Sequence, residues 1–244
     1  MTISVVISIF NESNTIVDCV ESILKQNRLP EEILIVDNNC TDNSVEKIKN
    51  YPLIRVVQEK KQGIWPARHR GYDEAIGDIL VCTDADARFE TNWLLNIESD
   101  FANDKVVAVT GPGKFSSSNK LLNEYGKYTY MKAFYFTGWL AFTIKPLFGS
   151  NFAIRKSIWK NIRHEVHSKN DRVHDDMDLT YHLLGKGKIK FNKANYVYIS
   201  TRTLTNHRRM ITQYKKGFVT VFSHWPKYYP PVLYYKILTG KLIR

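Results

Sequence analysis

Four short apolar runs, separated by segments with helical periodicity, constrain the fold of this chain most strongly. The runs span residues 2–9, 33–36, 53–57 and 79–82. Between the first two runs, apolar residues recur at helical spacing from Ile16 to Leu24, and further helices are indicated at 45–48 and 67–76. Strands that are apolar throughout and alternate with helices are typical of a parallel sheet covered on both faces. We therefore predict an α/β protein with right-handed crossovers.

Polar and acidic residues directly follow three of the predicted strands. They are Phe10-Asn11-Glu12, Asp37-Asn38 and Asp84-Ala85-Asp86. The carboxyl ends of parallel strands share one edge of a sheet, and ligands bind there in open α/β folds. A single strand-end aspartate is often only a helix cap, but three such ends favour a binding site. The chain has no P-loop pattern and no GxGxxG after the first strand, which argues against ATP hydrolysis and dinucleotide binding.

Two acidic clusters carry the strongest chemical signal. Asp84 and Asp86 flank one alanine after a buried strand, and paired carboxylates suit Mg²⁺ or Mn²⁺, which prefer oxygen ligands. Such an ion neutralises charge on a departing nucleoside diphosphate. Further along, Asp175, Asp176 and Asp178 lie within one turn of a predicted helix. We expect one carboxylate there to cap the helix and another, with its pKa raised by mutual repulsion, to act as a general base.

Cysteine and histidine usage argues against disulfides and against a zinc site. Cys19, Cys40 and Cys82 are scattered, odd in number and form no CxxC pair, which fits a reducing compartment. The histidines near the second acidic cluster follow no i, i+4 spacing, so we interpret them as solvated loop residues: His164, His167 and His174.

The chain is basic, with 35 Lys and Arg residues against 24 Asp and Glu residues and a formal net charge of +11. This excess attracts phosphate-bearing substrates or an anionic bilayer. Residues 225–236 interleave aromatic residues with lysines, which indicates an interfacial segment or a tail packed on its own domain. No apolar stretch is long enough for a membrane span and no basic n-region begins the chain. We expect a cytoplasmic protein that can bind peripherally to the inner face of a membrane.

The ordered series of motifs resembles family 2 glycosyltransferases. The series comprises residues 4–12, 35–42, Gly63 with 67–71, Asp84-Ala85-Asp86, Gly149-Ser150-Asn151 and residues 175–179. The resemblance covers residues 3–185 and implies the GT-A fold, a single mostly parallel sheet flanked by helices. It implies a nucleotide-sugar half at about 1–110 and an acceptor half at about 111–200. We predict that residues 201–244 form a basic and aromatic C-terminal extension.

The resemblance also implies which residues bind the donor. Residues matching Ile9 and Glu12 lie by the nucleotide, the one matching Asp37 hydrogen-bonds its base, and the one matching Arg68 contacts the nucleotide-sugar. The family's base is typically uracil, but departures around the first two strand ends leave that specificity open. Three basic residues follow the last predicted strand, namely His207, Arg208 and Arg209. We expect them either to close over the diphosphate or to form a surface loop.

The two acidic clusters match the family's metal motif and catalytic motif. Asp84 and Asp86 match the motif that holds Mn²⁺ or Mg²⁺ and the diphosphate, with Asp86 the expected direct ligand. Asp176 matches the base that deprotonates an acceptor hydroxyl for in-line attack with inversion at the anomeric carbon. Asp175 replaces the family's usual glutamate and is expected to contact substrate.

These implications predict an inverting glycosyltransferase that moves one sugar from a nucleoside-diphosphate sugar, by resemblance a UDP-sugar. The acceptor is expected to be a lipid-linked or cell-envelope saccharide. Single transfer is expected because the Gln-x-x-Arg-Trp signature of processive synthases is absent from the chain. Three alternatives stay open, namely a polyprenyl-phosphate glycosyltransferase, a sugar nucleotidyltransferase and a non-catalytic binding module. We expect no nucleic-acid partner.

Overall fold

In a computed structural model of the chain, the strands of the front half coincide with the apolar runs of the sequence. The structure describes residues 1–240, apart from the side chains of Thr203, His207 and Arg209. The strands are β1 (Ile3–Ile9), β2 (Glu32–Asp37), β3 (Ile54–Gln58), β4 (Ile79–Asp84), β5 (Arg88–Phe89), β6 (Val106–Thr110), β7 (Gly113–Phe115), β8 (Phe152–Arg155), β9 (Lys188–Phe191) and β10 (Val197–Ile199). The four predicted strands of the front half are therefore confirmed.

Helices connect the strands and cover the sheet. They are α1 (Ile16–Leu24), α2 (Ser44–Ile48), α3 (Ile64–Glu74), α4 (Trp93–Asp100), α5 (Lys120–Gly126), α6 (Lys132–Phe142), α7 (Lys156–Ile162), α8 (Asp175–Leu183), α9 (Arg202–Thr205), α10 (His207–Ser223) and α11 (Pro230–Leu238). A π-helical segment at Lys127–Met131 joins α5 to α6.

The central sheet has seven strands in the order β3-β2-β1-β4-β8-β6-β9. All neighbouring strands are parallel except β8, which runs antiparallel to β4 and β6. Alternate side chains of β1 enter cores on opposite faces, because successive side chains of a strand point in opposite directions. Val5 and Ile7 pack with α1 and α4, whereas Val6 packs with Trp65 and Tyr72 of α3. This double burial explains why five of the seven residues of β1 are apolar.

A second, three-stranded sheet in the order β5-β10-β7 lies beside the central one. The prediction of a single sheet is incomplete in this respect. The strand predicted near Val197 is confirmed as β10, but it pairs with β7 in parallel and with β5 in antiparallel orientation. Strands β5 and β7 have only two and three residues, so they contain no apolar run that periodicity could detect.

The C-terminal helices pack on the domain through one face. On α11, Leu233 is fully buried against Phe142 of α6 and Tyr181 of α8. On α10, the Thr220 hydroxyl accepts a hydrogen bond from the His174 backbone N–H at 2.7 Å. Packing of the tail on its own domain is therefore confirmed for these helices. Within residues 1–240, no helix combines the length and the apolar character needed to cross a membrane.

Candidate active site

A cleft of about 440 Å³ lies at the carboxyl ends of β1 and β4. This volume is within the range of small-molecule sites. The cleft is lined by seven of the eight residues predicted to bind or react: Ile9, Glu12, Arg68, Asp84, Asp86, Asp175 and Asp176. Asp37, the eighth, is not among the lining residues, and its Oδ1 accepts a hydrogen bond from the Cys40 N–H at 2.8 Å. Its neighbour Asn38 reaches the cleft instead.

Arg68 joins the two acidic motifs across the cleft floor. Its side chain, from α3, is only 5% exposed. Nη2 donates to Asp84 Oδ1 at 2.6 Å and to the Gly149 carbonyl at 3.0 Å, and Nη1 donates to Asp175 Oδ2. Desolvation lowers the pKa of Arg68, but the Asp175 carboxylate and other neighbours outweigh it and raise this pKa well above its usual value. The charged guanidinium therefore connects β4 to α8.

Asp84 and Asp86 have different surroundings although one alanine separates them. Both carboxylate oxygens of Asp84 accept hydrogen bonds from the protein, Oδ1 from Arg68 and Oδ2 from the Ser150 hydroxyl. Asp86 is also largely buried, and desolvation together with the charge of Asp84 raises its pKa. A positive charge next to Asp86 is therefore electrostatically favourable.

The guanidinium of Arg202 lies between Asp86 and Glu12. Its Nη2 is 2.7 Å from Asp86 Oδ2, and its Nη1 is 3.0 Å from Glu12 Oε2. Arg202 begins α9, three residues after the end of β10, and its side chain is 44% exposed. A cationic group thus already occupies the space between two carboxylates. The oxygen donor set and this position fit a divalent cation of the Mg²⁺ or Mn²⁺ type.

Asp176 is held rigidly at the other side of the cleft. Its Oδ2 accepts a hydrogen bond from the Gly149 N–H at 2.8 Å, and its Oδ1 lies 2.6 Å from His174 Nδ1. Desolvation lowers the pKa of His174, but the carboxylates of Asp176 and Asp175 raise it by more. The imidazole is therefore stabilised in its charged form beside Asp176. A carboxylate oriented in this way can accept a proton from a group bound in the cleft.

Sequence reasoning missed His174 and Arg202. The interpretation of His174 as a solvated loop residue is wrong, since its side chain is 17% exposed and contacts Asp176. Of the basic group predicted after the last strand, Arg208 does not line the cleft, and the side chains of His207 and Arg209 lie outside the described residues. The position of Arg202, three residues after the end of a predicted strand, is the signal that could have identified it.

The fold and this acidic cleft define a GT-A glycosyltransferase, and comparison with known proteins agrees with that class. The chain belongs to glycosyl transferase family 2, because the family model described as "Glycosyl transferase family 2" matches residues 4–163. The predicted family and fold are thereby confirmed. The roles of individual residues remain predictions.

Known relatives are similar over part of their length. The chain is 34% identical over 107 residues to the uncharacterized glycosyltransferase YibD of Escherichia coli, covering 40% of this chain and 31% of YibD. It is 27% identical over 224 residues to the cholesterol galactosyltransferase of Borreliella burgdorferi, covering 85% of this chain and 60% of that protein. The chain therefore spans about a third of YibD and less than two thirds of the second relative.

One solved structure shares the fold over nearly the whole chain. The mannosyltransferase PcManGT of Pyrobaculum calidifontis, solved with GDP-Man and Mn²⁺, superposes with a TM-score of 0.72 at 19% identity. The superposition covers 95% of this chain and 68% of PcManGT.

Proposed function

We propose that this chain is a metal-dependent, inverting glycosyltransferase that transfers one sugar from a nucleoside-diphosphate sugar to a hydroxyl acceptor. The observation that carries the proposal is the meeting of Asp86 and Asp176 in one cleft. Inverting transfer needs a cationic site for the leaving diphosphate and a base that activates the nucleophile on the other side of the sugar. The cleft contains one group suited to each task.

On the donor side, we assign the nucleotide to the edge of the cleft formed by β1 and β2. Ile9 ends β1, Glu12 lies three residues beyond it, and Asn38 follows β2. Asp37 remains the proposed partner of the base, and its neighbour Asn38 ties the same strand end to the loop at 59–63, because its amide is hydrogen-bonded to Glu59, Lys61 and Gly63. Glu12 is kept in position by the Thr15 hydroxyl, which donates to its Oε2 at 2.9 Å.

Asp86 is the proposed direct ligand of Mn²⁺ or Mg²⁺. The other predicted ligand, Asp84, has both oxygens engaged by Arg68 and Ser150, so we assign it to orienting Arg68 beside the diphosphate. When bound, the divalent ion would neutralise the negative charge that develops on the leaving group. Mn²⁺ in the fold relative PcManGT supports this assignment.

Asp176 is the proposed base. Its Oδ2 is fixed by the Gly149 amide, so the carboxylate cannot rotate away from the cleft without losing a buried hydrogen bond. His174 is the proposed positioning residue, because its ring contacts the second oxygen of Asp176. The acceptor hydroxyl gives its proton to Asp176 as its oxygen attacks the anomeric carbon and the C–O bond to the diphosphate breaks.

A thermal-shift panel of UDP-, GDP-, dTDP- and CMP-sugars, with and without Mn²⁺, tests the proposed function. One donor at a hundred times its Kd is expected to raise Tm by about 5 to 10 °C, and only with the metal. Asp86→Asn is expected to abolish this shift, whereas Asp104→Asn, at an exposed position outside the cleft, retains it. Turnover of the stabilising donor then separates an enzyme from a binding module. No shift with any donor would contradict the proposal.

Arg202→Gln is expected to tighten Mn²⁺ binding in the absence of donor. The guanidinium competes with the ion for Glu12 and Asp86, and one partly exposed ion pair corresponds to about a 1.5- to fivefold change in affinity. Calorimetric titration measures the Kd. Arg88→Gln is the control, since Arg88 pairs with Asp18 outside the cleft. Weaker binding in Arg202→Gln alone would mean that Arg202 supports the metal instead of competing with it.

We further propose a lipid-linked acceptor at an anionic membrane surface. Along α10 and the two residues after it, exposed apolar side chains recur at helical spacing: Ile211, Tyr214, Phe218, Phe222 and Trp225. Their spacing gathers them in one narrow stripe, with Arg208 and Lys215 beside it. A stripe of this kind flanked by basic residues suits the interface of an anionic bilayer. The relative named cholesterol galactosyltransferase is consistent with a membrane-resident acceptor.

The double variant Phe218→Ser/Phe222→Ser is expected to weaken binding to anionic vesicles by at least about tenfold, because two exposed phenyl rings no longer enter the bilayer interface. Vesicle flotation with phosphatidylglycerol-containing and purely zwitterionic membranes measures the effect. Ile76→Ser, which removes an exposed apolar side chain elsewhere, is the control. Equal flotation of all three proteins would contradict the membrane assignment.

A further inference from the structure

Three imidazole rings and one carboxylate converge outside the cleft. They belong to His167 in the loop before α8, Asp178 and His182 on α8, and His224 just after α10. One nitrogen or oxygen from each lies within 4.8 Å of all the others. The ring centroids are 5.1 Å apart for His167–His224 and His182–His224, and 5.7 Å apart for His167–His182. His167 lies in a loop and its side chain is 37% exposed, as interpreted from the sequence, but its ring contacts Asp178.

Asp178 lies at the centre of this cluster. Its side chain is fully buried, and its Oδ1 is 2.6 Å from His167 Nδ1 and 2.9 Å from His224 Nε2. Hydrogen bonds from these two rings to the carboxylate would account for their positions without any ligand. They do not account for the third ring. His182 Nε2 is buried and points at the same carboxylate from 3.6 Å, and no hydrogen bond reaches it from the described residues.

The other nitrogen of His182 explains how this ring can serve as a ligand. His182 Nδ1 lies 3.7 Å from the Glu165 carboxylate. Carboxylates therefore lie on both sides of the ring, Glu165 beyond Nδ1 and Asp178 beyond Nε2, and loss of the Nε2 proton would direct a lone pair into the cluster. Histidines that bind metals typically have a carboxylate behind the ring, as Glu165 is here. A buried ring nitrogen without a hydrogen bond is costly, and a cation bound by its lone pair would satisfy it.

We propose that His167, Asp178, His182 and His224 form a structural zinc site that fastens the end of α10 to α8. Three imidazole nitrogens and one carboxylate oxygen are a donor set that Zn²⁺ accepts, and four protein ligands fill a tetrahedral coordination sphere. No position is left for substrate, so the site is structural. Because its ligands come from three separate segments, the ion connects the C-terminal helices to the domain. It thereby stabilises α10, which contributes Gln213 and Lys216 to the cleft.

The first test is zinc content and affinity, measured in the Asp86→Asn background, which removes the proposed metal ligand of the cleft. We expect one zinc per chain after dialysis, and a rise in Tm of about 5 to 10 °C when zinc is added to chelator-treated protein at a hundred times its Kd. Cobalt added in place of zinc is expected to produce the intense visible absorption of a four-coordinate ion.

The second test uses two histidine variants in the same background. His224→Gln is expected to weaken zinc binding by at least about 100-fold, because one of four ligands is lost. His164→Gln, an exposed histidine on the same loop as His167, is expected to bind zinc like the parent. Limited proteolysis adds a structural readout, since removal of zinc should expose residues 200–206 to cleavage while residues 1–190 stay resistant.

Folded parent protein that binds neither zinc nor cobalt at micromolar concentration would overturn the proposal, even if His224→Gln fails to fold. Equal loss of zinc in His164→Gln and His224→Gln would overturn it as well. A six-coordinate cobalt spectrum would also contradict a closed site with four protein ligands.

Discussion

Asp176→Asn is expected to lower kcat for sugar transfer by about 10²- to 10⁴-fold, the usual contribution of a general base. Asparagine keeps the size of the side chain and can still accept the hydrogen bond from the Gly149 N–H, so the cleft retains its shape. It cannot accept a proton from the acceptor hydroxyl. Donor binding is expected to remain within about threefold of the parent, because we assign the nucleotide to the opposite side of the cleft.

Steady-state transfer rates and donor titrations together measure this effect. Asp171→Asn is the matched control, since Asp171 is an exposed carboxylate in the loop before α8 and does not line the cleft. Transfer at the parent rate in Asp176→Asn would contradict the assignment of the base. It would favour a polyprenyl-phosphate acceptor, whose oxygen is already ionised and needs no base.

Arg68→Met is expected to reduce the free energy of unfolding by about 3 to 5 kcal/mol, which is typical when one partner of a buried ion pair is removed. The substitution leaves Asp84 and Asp175 without their shared cation and removes the hydrogen bond to the Gly149 carbonyl. For a chain of this size, Tm is expected to fall by about 6 to 20 °C. Thermal and urea denaturation measure the loss.

Arg70→Met is the control for this substitution. Arg70 lies on the same helix, but its ion pair with Glu74 is solvent-exposed, so a change below about 1 kcal/mol is expected. The double variant Arg68→Met/Asp175→Asn is expected to recover part of the loss, because one of the two uncompensated charges is removed. Equal destabilisation by Arg68→Met and Arg70→Met would contradict a structural role for the Arg68 bridge.

The bridge also explains how two distant motifs become one cleft. Asp84 ends β4 in the front half, whereas Asp175 begins α8 in the back half. Arg68 contacts both, and Gly149 is hydrogen-bonded to Arg68 through its carbonyl and to Asp176 through its N–H. The metal motif and the proposed base are therefore linked through a short chain of hydrogen bonds. A shift of α8 would disturb both sides of the cleft together.

The zinc and membrane proposals concern opposite sides of α10. Thr220, together with His224 just beyond the helix, faces the domain, and the apolar stripe around Phe218 faces outward. A zinc ion on the side of α10 that faces the domain would fix the orientation of the helix, and with it the direction in which the apolar stripe faces. Vesicle flotation before and after zinc removal can therefore measure whether the two features are coupled.

Local patterns in the sequence were sufficient to predict the strands and the acidic residues at their ends. A strand buried on both faces is mostly apolar, so β1, β2 and β4 are recognisable from short runs of residues. The convergence of Glu12, Asp84 and Asp86 followed from topology, because parallel strands end at one edge of the sheet. These predictions depend on geometry that repeats within a few residues.

Tertiary structure alone decided the contacts between segments that are remote in the chain. Arg202 reaches Glu12 across 190 positions, and His224 reaches Asp178 across 46, and no periodicity in the sequence marks either pair. The contacts of His174 and His167 are not apparent from the sequence, because the residues that pack against them, Thr220 and His224, come from the C-terminal part. The sequence by itself determined the sheet and the acidic edge, since backbone hydrogen bonding and burial act locally. Only the tertiary structure decided which cationic groups and imidazole rings contact those carboxylates, because these contacts depend on how helices that are remote in the sequence pack together.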